Sequence, residues 1–126
     1  MHAQIRSFDA TAEYYTGELC FINELSNIAD DPDVSIAQAR VAAGVTTRMH
    51  RLRAITERYV ILAGEGRVEV DTLDPRDVKA GDVVLIPPGC AQRITNTGAE
   101  DLLFLAICSP RFQQKAYEDI DADAEC

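Results

Sequence analysis

Short segments in which apolar and polar residues alternate fill the middle of the chain. The clearest is residues 67–72, where apolar side chains recur at every second position, as in a strand with one buried face. Further short segments end at glycine or proline turns, and they cover residues 35–42, 46–53, 57–62, 82–86, 92–97 and 102–109. No helix-length periodic segment separates them. The pattern therefore predicts one antiparallel sandwich or barrel over residues 35–109.

The first 34 residues have a less regular pattern. Residues 19–28 fit either a short helix or a strand, and an aspartate-rich turn follows at residues 30–33. Because neither assignment is favoured by the spacing of the apolar residues, the prediction for residues 1–34 is limited to a strand or arm that packs on the barrel.

The residues after the barrel predict a short helix and then a tail. Pro110 suits a helix start, and Phe112 and Ala116 stand four residues apart, so they would share one face of a helix. We therefore expect a short C-terminal helix and an acidic tail within residues 110–126. A solvated, frayed tail is expected because five acidic residues follow one another with no basic residue between them. These residues are Glu118, Asp119, Asp121, Asp123 and Glu125.

Composition and charge exclude several classes of protein. The 126 residues fit one domain, and 47% of them are hydrophobic, which is enough for a core. The net charge of −9 argues against a nucleic-acid or anionic-membrane surface, because such surfaces need a basic patch. No apolar run approaches the roughly 18 residues that span a membrane. Residues 1–10 lack the pattern of a signal peptide, so a cytoplasmic location is expected.

The cysteines do not indicate a zinc site. Their spacing is too wide for the usual paired zinc ligands, and in a reducing compartment they are expected to be free thiols. They are Cys20, Cys90, Cys108 and Cys126. Cys108 reads as a small core residue. Cys90 lies closest to the candidate site below, where it is either a reactive or a quiet thiol.

Two stretches combine turn residues with polar side chains at regular spacing. The first contains Gly44, His50, Glu57 and Gly64, at intervals of six, seven and seven residues. The second contains Gly81, Pro87, Pro88, Gly89, Gln92 and Asn96. The glycines allow the left-handed backbone of tight turns, so each stretch reads as strands joined by turns.

The spacing also predicts which side chains face inward. His50 and Leu52 share one face of a strand, because side chains alternate along it. Glu57 opens the next strand and Gln92 begins a return strand. If the sheet closes on itself, His50, Glu57 and Gln92 converge in a single polar pocket inside the barrel.

Together the two stretches resemble the paired motifs of the cupin superfamily of small barrel proteins. The glycines, the first proline, the Glu and the Asn stand at the spacing of that family, over about 53 residues from Gly44 to Asn96. The resemblance implies an all-β, double-stranded β-helix barrel, also described as jelly-roll-like. It also implies a site for a small-molecule ligand inside the barrel.

The resemblance further implies a divalent metal held by His50 and Glu57. The sequence departs from the family at two ligand positions, because Leu52 stands in place of the second His and Gln92 in place of the third. One reading is a site for Mn, Fe, Ni or Zn formed by His50, Glu57 and Gln92. The other is a metal-free pocket in which His50 bonds to Glu57 or Gln92, since zinc sites usually have three strong protein ligands.

Three further residues are candidates for the substrate pocket. Tyr59 shares the parity of Glu57, so its hydroxyl is expected inside, where it could act in catalysis or serve as a core tyrosine. Arg48 shares the parity of His50, and Arg53 lies in a turn at the expected mouth of the barrel. Either arginine could bind an anionic group through two hydrogen bonds, and the alternative is an exposed surface arginine.

Three functions remain open at this stage. The first is a metal-dependent enzyme, such as an isomerase or dioxygenase, in which the metal is a Lewis acid and Glu57 or Tyr59 moves protons. The second resembles a metal-free sugar isomerase or epimerase, with His50 as general base. The third is a ligand-binding module without chemistry, because one fold serves many activities. Small cupins commonly form homodimers, and a homodimer is expected here because outer strands need cover.

Overall fold

The computed structural model of the protein describes residues 1–121. Within them the chain forms short strands and two 3-10 turns, at Ala10–Ala12 and Gln114–Ala116. The strands are β1 (Tyr14–Tyr15), β2 (Phe21–Ser26), β3 (Ser35–Val41), β4 (His50–Leu52), β5 (Thr56–Ala63), β6 (Glu65–Val70), β7 (Arg76–Lys79), β8 (Val83–Ile86), β9 (Gln92–Asn96), β10 (Leu102–Ser109) and β11 (Tyr117–Asp119). The prediction of an all-β protein is therefore confirmed.

The strands form two antiparallel sheets. One has six strands in the order β1-β2-β3-β10-β5-β8, and the other has five in the order β11-β4-β9-β6-β7. Consecutive strands often lie in different sheets, so the chain crosses between them and closes a double-stranded β-helix barrel. Strand β10 is central to the larger sheet and pairs with β3 on one side and β5 on the other.

The core lies between the two sheets because each strand turns alternate residues inward. Strand β5 buries every second side chain from Glu57 onward, and β9 does the same from Gln92. Apolar residues from both sheets pack together over most of the interior, among them Ile61 of β5 and Ile94 of β9, each 1% exposed. A smaller apolar cluster around Leu52 and Cys108 lies beside β4. The polar positions at the start of β5 and β9 are thus placed inside the barrel.

Two motif residues outside the site support the barrel itself. Gly64 has φ of 87°, and a Cβ there would lie 2.6 Å from the backbone oxygen of Asp101, so a side chain has no room. Asn96 is 1% exposed, and its Nδ2 donates to the carbonyls of Val41 and Glu100. Because a buried amide needs such partners, Asn96 holds the end of β3 next to the turn that precedes β10.

The structure corrects the predicted limits of several elements. The strand expected over residues 46–53 is limited to β4, and β7 forms at Arg76–Lys79, outside the predicted segments. The ambiguous residues 19–28 contain strand β2. The main reason is that pairing with neighbouring strands, rather than the local pattern, decides where a strand begins and ends.

The C-terminal prediction is also revised. The expected helix is a single 3-10 turn, and Glu118 and Asp119 belong to β11, which pairs with β4, rather than to a frayed tail. Ion pairs with Arg51 and Arg48 hold these two acids, at 3.0 and 2.8 Å. The expectation for Asp123 and Glu125 falls outside the described residues. In residues 1–121 the structure has no helix of the length and apolar character that crossing a membrane requires.

Candidate functional site

The structure brings four of the predicted site residues into the barrel interior. Glu57 and Tyr59 lie on β5, Gln92 on β9 and His50 on β4, and their exposed fractions are 8%, 4%, 0% and 5%. His50 is the cross-strand partner of Gln92 in the smaller sheet. Glu57 and Tyr59 approach from the larger sheet. The site therefore forms where the two sheets face each other.

Two buried polar atoms at this point lack a hydrogen bond within residues 1–121. The hydroxyl of Tyr59 donates to Oε1 of Gln92, which fixes the orientation of the amide. The Nε2 of Gln92 and the Oε1 of Glu57 are then left without a partner. An unpaired buried polar group costs about 1–3 kcal/mol, so such a pair indicates a place where a ligand group or water can bind.

The Glu57 carboxyl has an unusual acidity. Burial raises its pKa from 4.5 to about 7. A positive charge on His50 lowers this pKa, and the negative charge of Glu18 raises it further. The Gln92 amide and the Cys108 thiol, whose Sγ lies 3.8 Å from Oε2, lower the pKa by smaller amounts. A carboxyl group with a pKa near 7 can both accept and donate a proton at neutral pH.

His50 is held in one orientation by three neighbours. Its Nδ1 lies 2.9 Å from the carbonyl oxygen of Arg48, and because a carbonyl can only accept, Nδ1 carries the proton. The carboxylate of Glu18 lies 3.6 Å from Nδ1, and the ring stacks on Tyr117 with 5.0 Å between centroids. This arrangement is that of an imidazole base supported by a carboxylate.

A cavity of about 380 Å³ opens in front of Glu57. Its wall comes from the larger sheet, from the loop that contains Glu18, and from the segment at Phe112–Tyr117. The lining residues are Tyr14, Thr16, Gly17, Glu18, Ile22, Glu24, Asn27, Ser35, Ile36, Ala37, Glu57, Ala106, Cys108, Phe112, Gln114, Tyr117 and Asp119. The volume suits a molecule of monosaccharide size, in the range of small-ligand pockets.

Of the predicted site residues, Glu57 lines this cavity, whereas the lining does not include His50, Tyr59, Gln92 or either candidate arginine. The Nε of Arg48 lies 2.8 Å from Oδ2 of Asp119, so this arginine is held in an ion pair with a residue of the cavity lining. Arg53 has a 61% exposed side chain that bonds to the carbonyl of Lys115. The thiol of Cys90 lies 4.0 Å from Asp71, again outside the cavity.

The residues present do not fit the metal that the resemblance implies. Leu52, at the second His position, is buried in an apolar cluster. The hydroxyl of Tyr59 donates to Oε1 of Gln92, so the amide atom left without a partner is Nε2. Because Nε2 is an N–H donor and offers no lone pair, it does not suit a cation. His50 and Glu57 remain as two strong donors. Consistent with this, no group of three His, Cys, Asp or Glu side chains in residues 1–121 is arranged to hold a metal ion.

Three residues of the site escaped prediction from the sequence. Glu18 lies in a turn before β2, and Tyr117 lies on β11 where a helix was expected. Cys108 is the cross-strand partner of Glu57, and the sequence treated it only as a small core residue. The alternation of inward and outward side chains along β10 and β5 was a usable signal for Cys108. For the other two, nothing in the local pattern points to the cavity.

Comparison with known proteins agrees with this architecture. Residues 38–108 match the family model described as a cupin domain. An uncharacterized protein of Methanocaldococcus jannaschii is 31% identical over 116 residues, which cover 90% of this chain and 92% of that protein. An oxalate-binding protein of Thermotoga maritima is 38% identical over 71 residues, or 56% of this chain and 58% of that one.

A solved structure supports the fold. It is a conserved protein of Klebsiella pneumoniae with a double-stranded β-helix domain, and it superposes with a TM-score of 0.75 at 15% identity. The match covers 92% of this chain and 97% of the other. At this low identity the similarity concerns the arrangement of the strands alone.

Proposed function

Because this chain belongs to the cupin domain family, whose barrel does not by itself fix an activity, we propose from its pocket that it binds a small hydroxylated molecule and catalyses metal-independent proton transfer on it. The observation that carries the proposal is the pair of buried atoms without partners, Glu57 Oε1 and Gln92 Nε2. A hydroxyl group satisfies both at once, since it accepts a hydrogen bond from Nε2 and donates one to Oε1.

Each residue then has a role that its contacts support. Glu57, with a pKa of about 7, exchanges a proton with the ligand. His50 is the second base: the Arg48 carbonyl orients the ring through Nδ1, so Nε2 is the nitrogen that exchanges a proton with the ligand, and the carboxylate of Glu18 stabilises the imidazolium. Tyr59 does not ionise near neutral pH, since burial raises its pKa well above 10, and it holds the Gln92 amide in place. The two bases allow removal of a proton at one position and delivery at another.

The first experiment tests binding without metal. Chelator-treated protein is titrated with uridine, D-ribose and D-glucose, and amide shifts are followed by NMR. We expect binding of one or more of these probes, and a loss of at least tenfold in affinity in Gln92→Met, which keeps the length of the side chain but removes the donor. The control is Glu65→Gln, an exposed residue outside the cavity. Binding that requires added Mn, Fe, Ni or Zn, or that is unchanged in Gln92→Met, would contradict the proposal.

A second experiment separates an enzyme from a binding module. The bound probe is incubated in D2O with the protein, and exchange of C–H for C–D is followed by NMR. Exchange in the wild type that is lost in Glu57→Gln supports proton transfer. Tight binding without exchange of any proton, at several pH values, would leave a ligand-binding module and refute the catalytic part.

Oxalate binding is a second candidate because of the Thermotoga maritima relative. The lining of the cavity argues against it, because Glu18 and Glu24 would repel a dianion and the lining residues within the described chain include neither Lys nor Arg. Adding oxalate to the same titration decides between the two. Oxalate that binds more tightly than the neutral probes would favour the second candidate.

We also infer a homodimer from the exposed edge of the larger sheet. Strand β8 is the last strand of that sheet, and its outward side chains Val83 and Leu85 are 56% and 67% exposed. An apolar edge strand invites pairing with another chain, and a second copy that covers it would remove this exposed surface. A monomeric mass by light scattering at micromolar concentration would contradict the homodimer.

A further inference from the structure

The cavity in front of Glu57 has a strong charge bias. Four carboxylates line it, and the lining residues within the described chain include neither Lys nor Arg. The carboxylates are Glu18, Glu24, Glu57 and Asp119. Asp119 is neutralised by its ion pair with Arg48. Glu57, with a pKa of about 7, is largely protonated at pH 6.5, so the negative potential of the cavity comes from Glu18 and Glu24. This potential attracts cations and repels anions.

Glu18 is a partly buried acid of the cavity lining. Its side chain is 21% exposed, and its charged contact in residues 1–121 is with His50 Nδ1 at 3.6 Å. The negative charge of Glu18 also raises the pKa of Tyr14, Glu57 and Tyr117, which surround the cavity. These three pKa shifts share one cause, the charge of a carboxylate that faces the same poorly solvated cavity.

A separate observation indicates that the space is built for a ligand. Glu57 lines the cavity with 8% of its surface exposed and an Oε1 without a partner, and Gln92 behind it is fully buried with an Nε2 without a partner. Gln92 is not one of the acids. Its unpaired N–H and the unpaired oxygen of Glu57 therefore call for a hydroxyl group, whatever the charge of the lining.

The aromatic residues add a third feature. Tyr14, Phe112 and Tyr117 form part of the wall, together with Glu18 and Glu24. The face of an aromatic ring attracts an organic cation, and a carboxylate nearby strengthens this attraction. An anion would lose its hydration and meet the negative charges of Glu18 and Glu24 without a compensating Lys or Arg in the lining of the described residues.

We propose that the cavity selects a hydroxylated organic amine, with its ammonium group at Glu18 and a hydroxyl group between Glu57 and Gln92. This inference rests on the hydroxyl site of the proposed function and adds the charge of the ligand. The class includes amino sugars and amino alcohols, which carry both groups within the dimensions of the cavity.

The test uses three sugars that differ in charge but share one ring. D-glucosamine, D-glucose and D-glucuronate are titrated into the full chain at pH 6.5, where the sugar amine is protonated and the acid is ionised. Amide shifts in NMR give the affinities. We expect glucosamine to bind at least tenfold more tightly than glucose, and glucuronate to bind more weakly than either. Glu18→Gln should reduce the preference for glucosamine at least fivefold, whereas Glu65→Gln removes the same charge from the surface and should leave it unchanged.

The outcomes distinguish the inference from the function on which it rests. Equal affinity for glucosamine and glucose, a preference that persists in Glu18→Gln, or tighter binding of glucuronate would overturn the amine-selective site. In each of those cases, glucose binding that is weakened in Gln92→Met would still support the hydroxyl site. Failure of all three sugars, while uridine or ribose binds through Gln92, would overturn the amine selectivity alone. Failure of every probe would overturn both.

Discussion

Substituting Glu57 by glutamine should change the stability of the protein in a pH-dependent way. The carboxyl is inside the barrel, it has an oxygen without a partner within residues 1–121, and burial raises its pKa from 4.5 to about 7. The folded protein therefore keeps the Glu57 proton between pH 4.5 and 7, while the unfolded chain releases it. Glutamine has the same shape and never ionises, so it removes this difference.

The sign and size follow from the two pKa values. The stability linked to a raised pKa is fully present below 4.5 and is lost as the pH rises through about 7. A shift of 2.5 units at about 1.4 kcal/mol per unit corresponds to a loss of roughly 3 kcal/mol above pH 7. The part that falls between pH 5.5 and pH 8 is about 2 kcal/mol.

Urea unfolding followed by circular dichroism measures this difference directly. The chain has no Trp, so far-ultraviolet ellipticity is the suitable signal. The free energy of unfolding of Glu57→Gln minus that of the wild type should rise by about 2 kcal/mol from pH 5.5 to pH 8. The exposed Glu65→Gln serves as control and should give a flat difference. A difference for Glu57→Gln that stays constant to within about 0.5 kcal/mol would refute a raised pKa at this position.

Two further predictions concern the barrel and its edge. Tyr59→Phe keeps the ring that packs on Phe104 at 4.5 Å but leaves Gln92 Oε1 unpaired, so urea unfolding should show a loss of about 1–3 kcal/mol. A loss below about 0.5 kcal/mol would show that this hydrogen bond is replaced. Leu85→Glu places a charge on the exposed edge strand β8, so light scattering should report a monomer with an unchanged circular dichroism spectrum. An unchanged dimer would place the interface elsewhere.

Much of the site could be predicted because strand alternation is local. Once the turns at Gly44, Gly64 and Gly81 set the strand limits, the parity of each residue decides which side chains face inward. Glu57, Tyr59 and Gln92 could therefore be assigned as candidate pocket residues without coordinates. The spacing of the glycines and prolines also carried the resemblance to the cupin superfamily, and that resemblance implied the double-stranded β-helix barrel.

Other parts depended on contacts that no local pattern encodes. Glu18 reaches His50 from a turn 32 residues earlier in the chain, and β11 pairs with β4 from the far end of the described chain. The acids of β11 looked like a solvated tail, but in the fold they meet Arg48 and Arg51. Such ion pairs exist only after the chain has closed on itself.

The sequence by itself determined the all-β barrel and the inward set of polar residues, because both follow from the period of a strand and the conformational demands of turns. Tertiary structure alone decided what those residues can do. It orients the Gln92 amide through Tyr59, leaves Glu57 Oε1 without a partner within residues 1–121, and surrounds the cavity with carboxylates. The physical reason is that acidity, hydrogen-bond satisfaction and electrostatic potential depend on groups brought together from distant positions, and a linear pattern does not specify those distances.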